Sequence, residues 1–181
     1  MRYFYDTEFI EYGSTIYLIS IGIVAEDGRE YYAINEQVGS PRGLGGRIAR
    51  HGWLMENVIP HLPLREPVKE SVPPSLDMAD SRVKSRTVIA DEVLDFIRAG
   101  DGVDHELWAY YGAYDHVALC QLWGPMINLP DDIPMWTHEL MQAWEQAGRP
   151  DQPPQIDEHN ALADARWNRD LYRAITNAPR E

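Results

Sequence analysis

The chain begins with a block in which apolar and aromatic positions occupy both alternating faces. Residues Tyr3 to Thr7 carry no polar stripe, the pattern of a central strand covered on both sides. Thr15 to Ala25, "TIYLISIGIVA", predicts a second strand, and "EYGS" between the two predicts a hairpin. Glu26-Asp27-Gly28 is a tight-turn signal, so Arg29 to Asn35 reads as a third strand antiparallel to the second. The first third of the chain is thus expected to be a three-stranded meander.

The pattern changes after Asn35. "GSPRGLGG" reads as a loop and Arg47 to Asn57 as a helix. Pro60, Pro63, Pro67, Pro73 and Pro74 then break any regular element, which predicts an arm or flap within 58–85. Val88, Ile89, Val93, Leu94 and Ile97 restore helical spacing over Arg86 to Arg98, closed by Gly100. "ELWAYY", Glu106 to Tyr111, predicts a fourth strand. Asp115 opens a helix that Gly124-Pro125 ends, Thr137 to Ala147 reads as a short helix, and Gly148 to Pro154 as a linker. The last helix runs from Asn160 to about Thr176, with Leu162, Ala165, Leu171, Tyr172 and Ile175 on a buried side. Meander, helix, strand and helices together predict an α/β protein of one domain, residues 1–181, with a mixed sheet flanked by helices.

Composition narrows the function. No stretch nears the roughly 20 apolar residues of a membrane span, and no basic-then-apolar leader opens the chain. Cys120 is the single cysteine, which excludes an internal disulfide framework and fits a reducing, cytoplasmic setting. The net charge of −13 argues against a general polyanion binder, yet bound divalent cations reverse a local field. Arg42, Arg47 and Arg50, then Arg82, Lys84 and Arg86, form two basic groupings that read equally as solvated charges or as phosphate contacts. Six tryptophans (Trp53, Trp108, Trp123, Trp136, Trp144 and Trp167) read as core or interface aromatics. Neither H-E-x-x-H, nor a phosphate-binding glycine loop, nor G-x-S-x-G is present.

The acidic positions carry the chemistry. Asp6 and Glu8 lie two apart on the first strand and project from one face, about 6.5–7 Å apart along the backbone. Two anions on a covered strand are costly unless a cation compensates them. Asp115 follows the fourth strand, where it reads as a helix N-cap, a ligand, or both. If that strand neighbours the first, its C-terminal end brings Asp115 toward Asp6. "HNALADA" places His159 and Asp164 five residues apart, about 500° on a helix, so they share no helical face. With Asn160 as N-cap, His159 falls on the preceding loop and Asp164 on the helix, where the two can converge on one cleft; taken alone, they read as a surface histidine and a solvated helix acid.

In this order, D-x-E, a later Asp and H-x-x-x-x-D, the chain resembles the DEDDh 3′→5′ exonucleases of the ribonuclease T-like superfamily. The stretches "MRYFYDTEFIE", "ELWAYYGAYDHVALCQLWGPM" and "HNALADA" resemble the actinobacterial exoribonuclease AS family, polyadenylate-specific 3′-exoribonucleases. The likeness covers residues 1–35 and 105–170 and leaves 36–100 unmatched. Phe9-Ile10-Glu11 replaces the superfamily's Thr-Thr-Gly, and Tyr110 and Tyr111 stand where a small polar residue precedes the middle Asp. Those departures bear on base and sugar contacts, not on ligands.

The resemblance implies a ribonuclease H-like fold with a mixed five-stranded sheet. It implies Asp6, Glu8, Asp115 and Asp164 as ligands of two Mg²⁺ ions, with Mn²⁺ as a substitute, and His159 as general base. The substrate would be RNA 3′ ends, including poly(A) tails, trimmed to nucleoside 5′-monophosphates, with Phe9 and Thr7 as substrate contacts and a homodimer as the assembly. Two other readings stay open: a DNA 3′ exonuclease of proofreading or repair type, and a non-catalytic binding module on the same fold.

Overall fold

The computed structural model describes residues 1–65, 75–100, 102 and 104–177. Strands β1 (Arg2–Tyr12), β2 (Thr15–Ala25) and β3 (Glu30–Asn35) form the expected antiparallel meander. The second turn closes at Gly28, whose φ of 94° suits a residue without Cβ. Next come α1 (Leu44–Ile48), α2 (Gly52–Asn57), a 3₁₀ turn Ile59–His61, and the strands β4 (Leu64–Arg65) and β5 (Ser75–Leu76). β4 and β5 pair antiparallel in a small separate sheet. The central part of the expected arm, with Pro67, Pro73 and Pro74, lies outside the described residues.

β6 (Val83–Lys84), α3 (Arg86–Arg98), β7 (Glu106–Ala109), α4 (Ala113–Cys120), β8 (Thr137–Glu139), α5 (Leu140–Gln146) and α6 (Ala161–Asn177) complete the chain. The main sheet has the order β6-β3-β2-β1-β7-β8, with β7 parallel to β1, β8 parallel to β7 and β6 parallel to β3. It is a mixed sheet flanked by helices, compatible with the ribonuclease H-like fold. It has six strands, not five, because two- and three-residue segments, too short to show alternation, pair at its edges.

Three elements differ from their predicted bounds for local reasons. The helix expected over Arg47 to Asn57 is two helices, because His51 adopts an extended conformation and its Nδ1 accepts the Leu54 N–H, starting α2 afresh. β7 stops at Ala109, and Tyr111 turns away at a φ of 54°. The first three residues of the expected Thr137 to Ala147 helix are β8, and the Glu139 carboxylate then accepts the Met141 N–H to start α5.

One face of the sheet packs Tyr3, Tyr5, Ile21, Ile23 and Leu107 against α3 and α4. Beyond Glu8, β2 bulges by one residue opposite β1, and Ile19 joins Ile10 and Ile34 in a second cluster with α1 and α2. α6 crosses β1 and β2 on that same side: Phe4 packs on Tyr172, and the buried Asn168 amide donates to the Tyr5 carbonyl. Close approach is possible because Gly22, the partner of Asp6 across β2, has no side chain; a Cβ there would collide with the backbone of Ala161 and Leu162.

Candidate active site

Alternation along β1 sends Phe4, Asp6 and Glu8 toward α6, and α6 returns Asp164 from its first turn. Carboxylate oxygens of Asp6, Glu8 and Asp164 all lie within 4.8 Å of one another. Asp115 reaches β1 from the α4 side. Its carboxylate accepts the Thr7 backbone N–H at 2.9 Å and the Thr7 hydroxyl at 2.6 Å. The N-cap reading of Asp115 fails, since α4 begins two residues earlier at Ala113, with Gly112 in the cap position. The turn that positions it is held by Glu139, which accepts the N–H groups of Tyr111 and Gly112.

The loop before α6 follows the sequence expectation. Asn160 caps the helix by accepting the Leu162 and Ala163 N–H groups, and His159 lies outside it at a φ of 68°. The His159 N–H donates to one oxygen of Asp164 at 2.9 Å, and the Gln155 amide donates to the other at 2.8 Å. Among the described residues, neither ring nitrogen of His159 is hydrogen-bonded within the chain.

All five residues line one open cleft of about 420 Å³, together with Thr7 and Phe9. Phe9 projects opposite to Glu8 and stacks on Tyr114, with ring centroids 5.9 Å apart and planes at 10°. Trp53, Tyr110, Tyr111, Tyr114, Gln155 and Asn168 also line the cleft and were not selected from sequence as site residues. Tyr110 and Tyr111 were noted only as departures, and Trp53 sits in the unmatched segment. Trp53 and Trp136 are exposed, so the core reading of the tryptophans fails for these two.

Burial dominates the electrostatics. It pushes the Asp6 carboxyl well above the usual carboxylate range, reinforced by the charges of Asp115, Glu8 and Asp164. Glu8 rises to about 8 through burial and then through Asp164 and Asp115. Asp115 rises to about 6, burial outweighing the two Thr7 hydrogen bonds that oppose it. Asp164 is raised by burial against its bonds from Gln155 and His159. Among the described residues none of the four forms an ion pair with Lys or Arg. Such a cluster of oxygen donors fits hard divalent cations, and the one cysteine, Cys120, lies outside the cleft with its thiol pushed up to about 11 by burial.

Three members of the two basic groupings are engaged away from the cleft. Arg82 pairs with Asp80 and Lys84 with Glu92, and the Arg47 guanidinium lies over the rings of Tyr12 and Tyr17. No helix among the described residues is long and apolar enough to cross a membrane.

No protein-family model matches the chain. Two curated proteins of Mycobacterium tuberculosis do: the 3′-5′ exoribonuclease Rv2179c of strain H37Rv and the 3′-5′ exoribonuclease MT2234.1 of strain CDC 1551. Each is 49% identical over 179 residues, covering 98% of this chain and 94% of the relative. The likeness therefore runs through residues 36–100, which the motifs alone left unmatched. With near-complete coverage at that identity, the chain belongs to the 3′-5′ exoribonuclease family that these two proteins represent.

Proposed function

We propose that this protein is a metal-dependent 3′→5′ exoribonuclease that removes nucleoside 5′-monophosphates from RNA 3′ ends, with a preference for adenylate. The observation that carries this reading is the convergence of Asp6, Glu8 and Asp164 within 4.8 Å, in a cleft where no basic side chain among the described residues neutralises them. Asp6, Glu8, Asp115 and Asp164 would hold two Mg²⁺ or Mn²⁺ ions. When bound, such ions activate water as a nucleophile and stabilise the charge on the departing oxygen.

The chain's own residues supply the rest. His159 accepts the proton of the attacking water; its backbone N–H is tied to Asp164, and its imidazole lines the cleft. The water oxygen bonds to phosphorus, the bond from phosphorus to the 3′ oxygen breaks, and that oxygen takes up a proton. Thr7 holds Asp115 in place through both its N–H and its hydroxyl while lining the substrate cleft. Phe9 and Tyr114 offer parallel rings on which the terminal base stacks, an interaction worth about 1–3 kcal/mol per base. A homodimer is part of the same proposal, and sedimentation equilibrium tests it.

The test uses 5′-labelled RNA and DNA oligomers of matched sequence and homopolymer RNAs, in Mg²⁺ and in EDTA. RNA should shorten stepwise from its 3′ end in Mg²⁺ only, poly(A) fastest. Asp6→Ala should slow this by at least about 10³-fold, and His159→Ala by about 10²–10⁴-fold with metal binding kept. DNA digested faster than RNA would favour the repair-type reading. Unchanged trimming by Asp6→Ala would leave the metal assignment without support.

A further inference from the structure

The loop that carries His159 is conformationally demanding. Asp157 and His159, both non-glycine, sit at φ values of 61° and 68°, a region that L-residues enter only when their surroundings hold them there. α6 supplies part of the restraint: Asp164 accepts the His159 N–H, and the Asn160 amide donates to Asp157 Oδ2. The remaining restraint comes from the segment Gly52–His61. The Trp53 ring meets the His159 imidazole edge-on, with centroids 4.8 Å apart and planes at 73°. His61 Nδ1 lies 3.3 Å from Asp157 Oδ1, the oxygen that Asn160 does not use.

That segment is firmly mounted. Leu54, Val58, Ile59 and Leu62 are buried with Ile10, Ile19 and Ile34, so α2 and the 3₁₀ turn are rooted on the sheet just beyond the β2 bulge. Trp53, 48% exposed, faces the cleft from this mount. A side chain on a rigid element, touching a ring on a demanding loop, is placed to set that ring's orientation.

We propose that Trp53 and His61 are positioning residues that clamp the Asp157–His159 turn and fix the aim of the His159 imidazole. The clamp rests on the reading of His159 as proton acceptor. Orientation enters the turnover rate directly, since small misplacements of a reacting group cost about 10²-fold.

The experiment measures kcat and KM on single-stranded RNA in Mg²⁺ for wild type, Trp53→Ala, Trp53→Phe, His61→Asn, His159→Ala and the Trp53→Ala/His159→Ala double variant. Mn²⁺ affinity is read on each by calorimetry. Trp53→Ala should lower kcat by about 10- to 100-fold with KM within about two-fold and Mn²⁺ affinity unchanged. Trp53→Phe should recover most of the loss, and His61→Asn should cost about three- to ten-fold in kcat. In the His159→Ala background, Trp53→Ala should cost less than about two-fold further, because the ring it aims is gone.

A loss confined to KM would make Trp53 a base-stacking surface and overturn the clamp. An equal kcat loss in both backgrounds, with His159→Ala itself impaired, would also overturn the clamp while leaving the proton-acceptor reading intact. A fully active His159→Ala would overturn that reading and the clamp with it.

Discussion

The two faces of β1 have opposite chemistry one residue apart. On one face, Tyr3 and Tyr5 sink fully into an apolar cluster, and both hydroxyls are satisfied: Tyr3 donates to the Ile97 carbonyl at 2.7 Å and Tyr5 shares a hydrogen with Thr137 at 2.6 Å. On the other, Phe4 is followed by Asp6 and Glu8, which meet Asp164 at close range and raise one another's proton affinity. The apolar face supplies burial free energy, about 25 cal/mol per Å² of apolar surface. The acidic face holds like charges that oppose folding unless protons or a cation compensate them. A rigid strand anchored through its apolar face lets the other face, beneath α6, keep an unfavourable arrangement in place.

Substitutions on the two faces should therefore separate stability from activity. The largest effect on folding is expected for Leu107→Ala, which opens a cavity beside Tyr3 on the apolar face. It should lose about 2–5 kcal/mol in urea titrations while keeping kcat per folded molecule near wild type. A large fall in kcat per folded molecule would show that the faces are not separable.

Gly22→Ala tests the joint between sheet and α6. The new Cβ must displace the Ala161 and Leu162 backbone, at a cost of about 1–3 kcal/mol by overpacking. Because α6 carries Asp164, trimming should fall much further than stability, with weaker Mn²⁺ binding by calorimetry. Retained Mn²⁺ affinity would mean that α6 adjusts without moving its carboxylate.

The smallest effect reverses sign. In EDTA, Glu8→Gln should raise stability at pH 8 while abolishing metal-dependent activity. The folded state holds the Glu8 proton up to about pH 8, whereas the unfolded chain releases it near the ordinary glutamate value. Glu8's contribution is thus fully present below about pH 4 and is lost as pH rises toward 8. The thermal shift between Glu8→Gln and wild type in EDTA should be near zero at pH 4 and grow to pH 8. Saturating Mg²⁺ should reverse it in favour of wild type. A shift that shrinks with rising pH would contradict the direction assigned to Glu8.

Much of the fold was legible because its signals are local. β2 and α3 run as their patterns predict, and Asn160 caps α6 as its residue type suggests. Elements whose bounds depend on side chains from elsewhere were not. His51 divided one expected helix, and edge pairing with β7 took Thr137–Glu139 from another. The ligand candidates were legible for a related reason: carboxylates beside a covered strand are anomalous in any context. Trp53 and His61 carry no such anomaly; an aromatic and a histidine in a proline-flanked segment look ordinary until the fold sets them against His159 and Asp157.

By itself, then, the sequence determined the meander, the main helices and the identity of five polar residues, because alternation, helical spacing and capping act over a few neighbours. The tertiary structure decided which of those residues meet. It brought Asp164 to Asp6 over Gly22, turned Asp115 from a helix cap into a partner of Thr7, and set α2 against the His159 loop. Those contacts join positions far apart in the chain, and their energies depend on burial and distance, which arise only once the sheet and α6 have closed on one another.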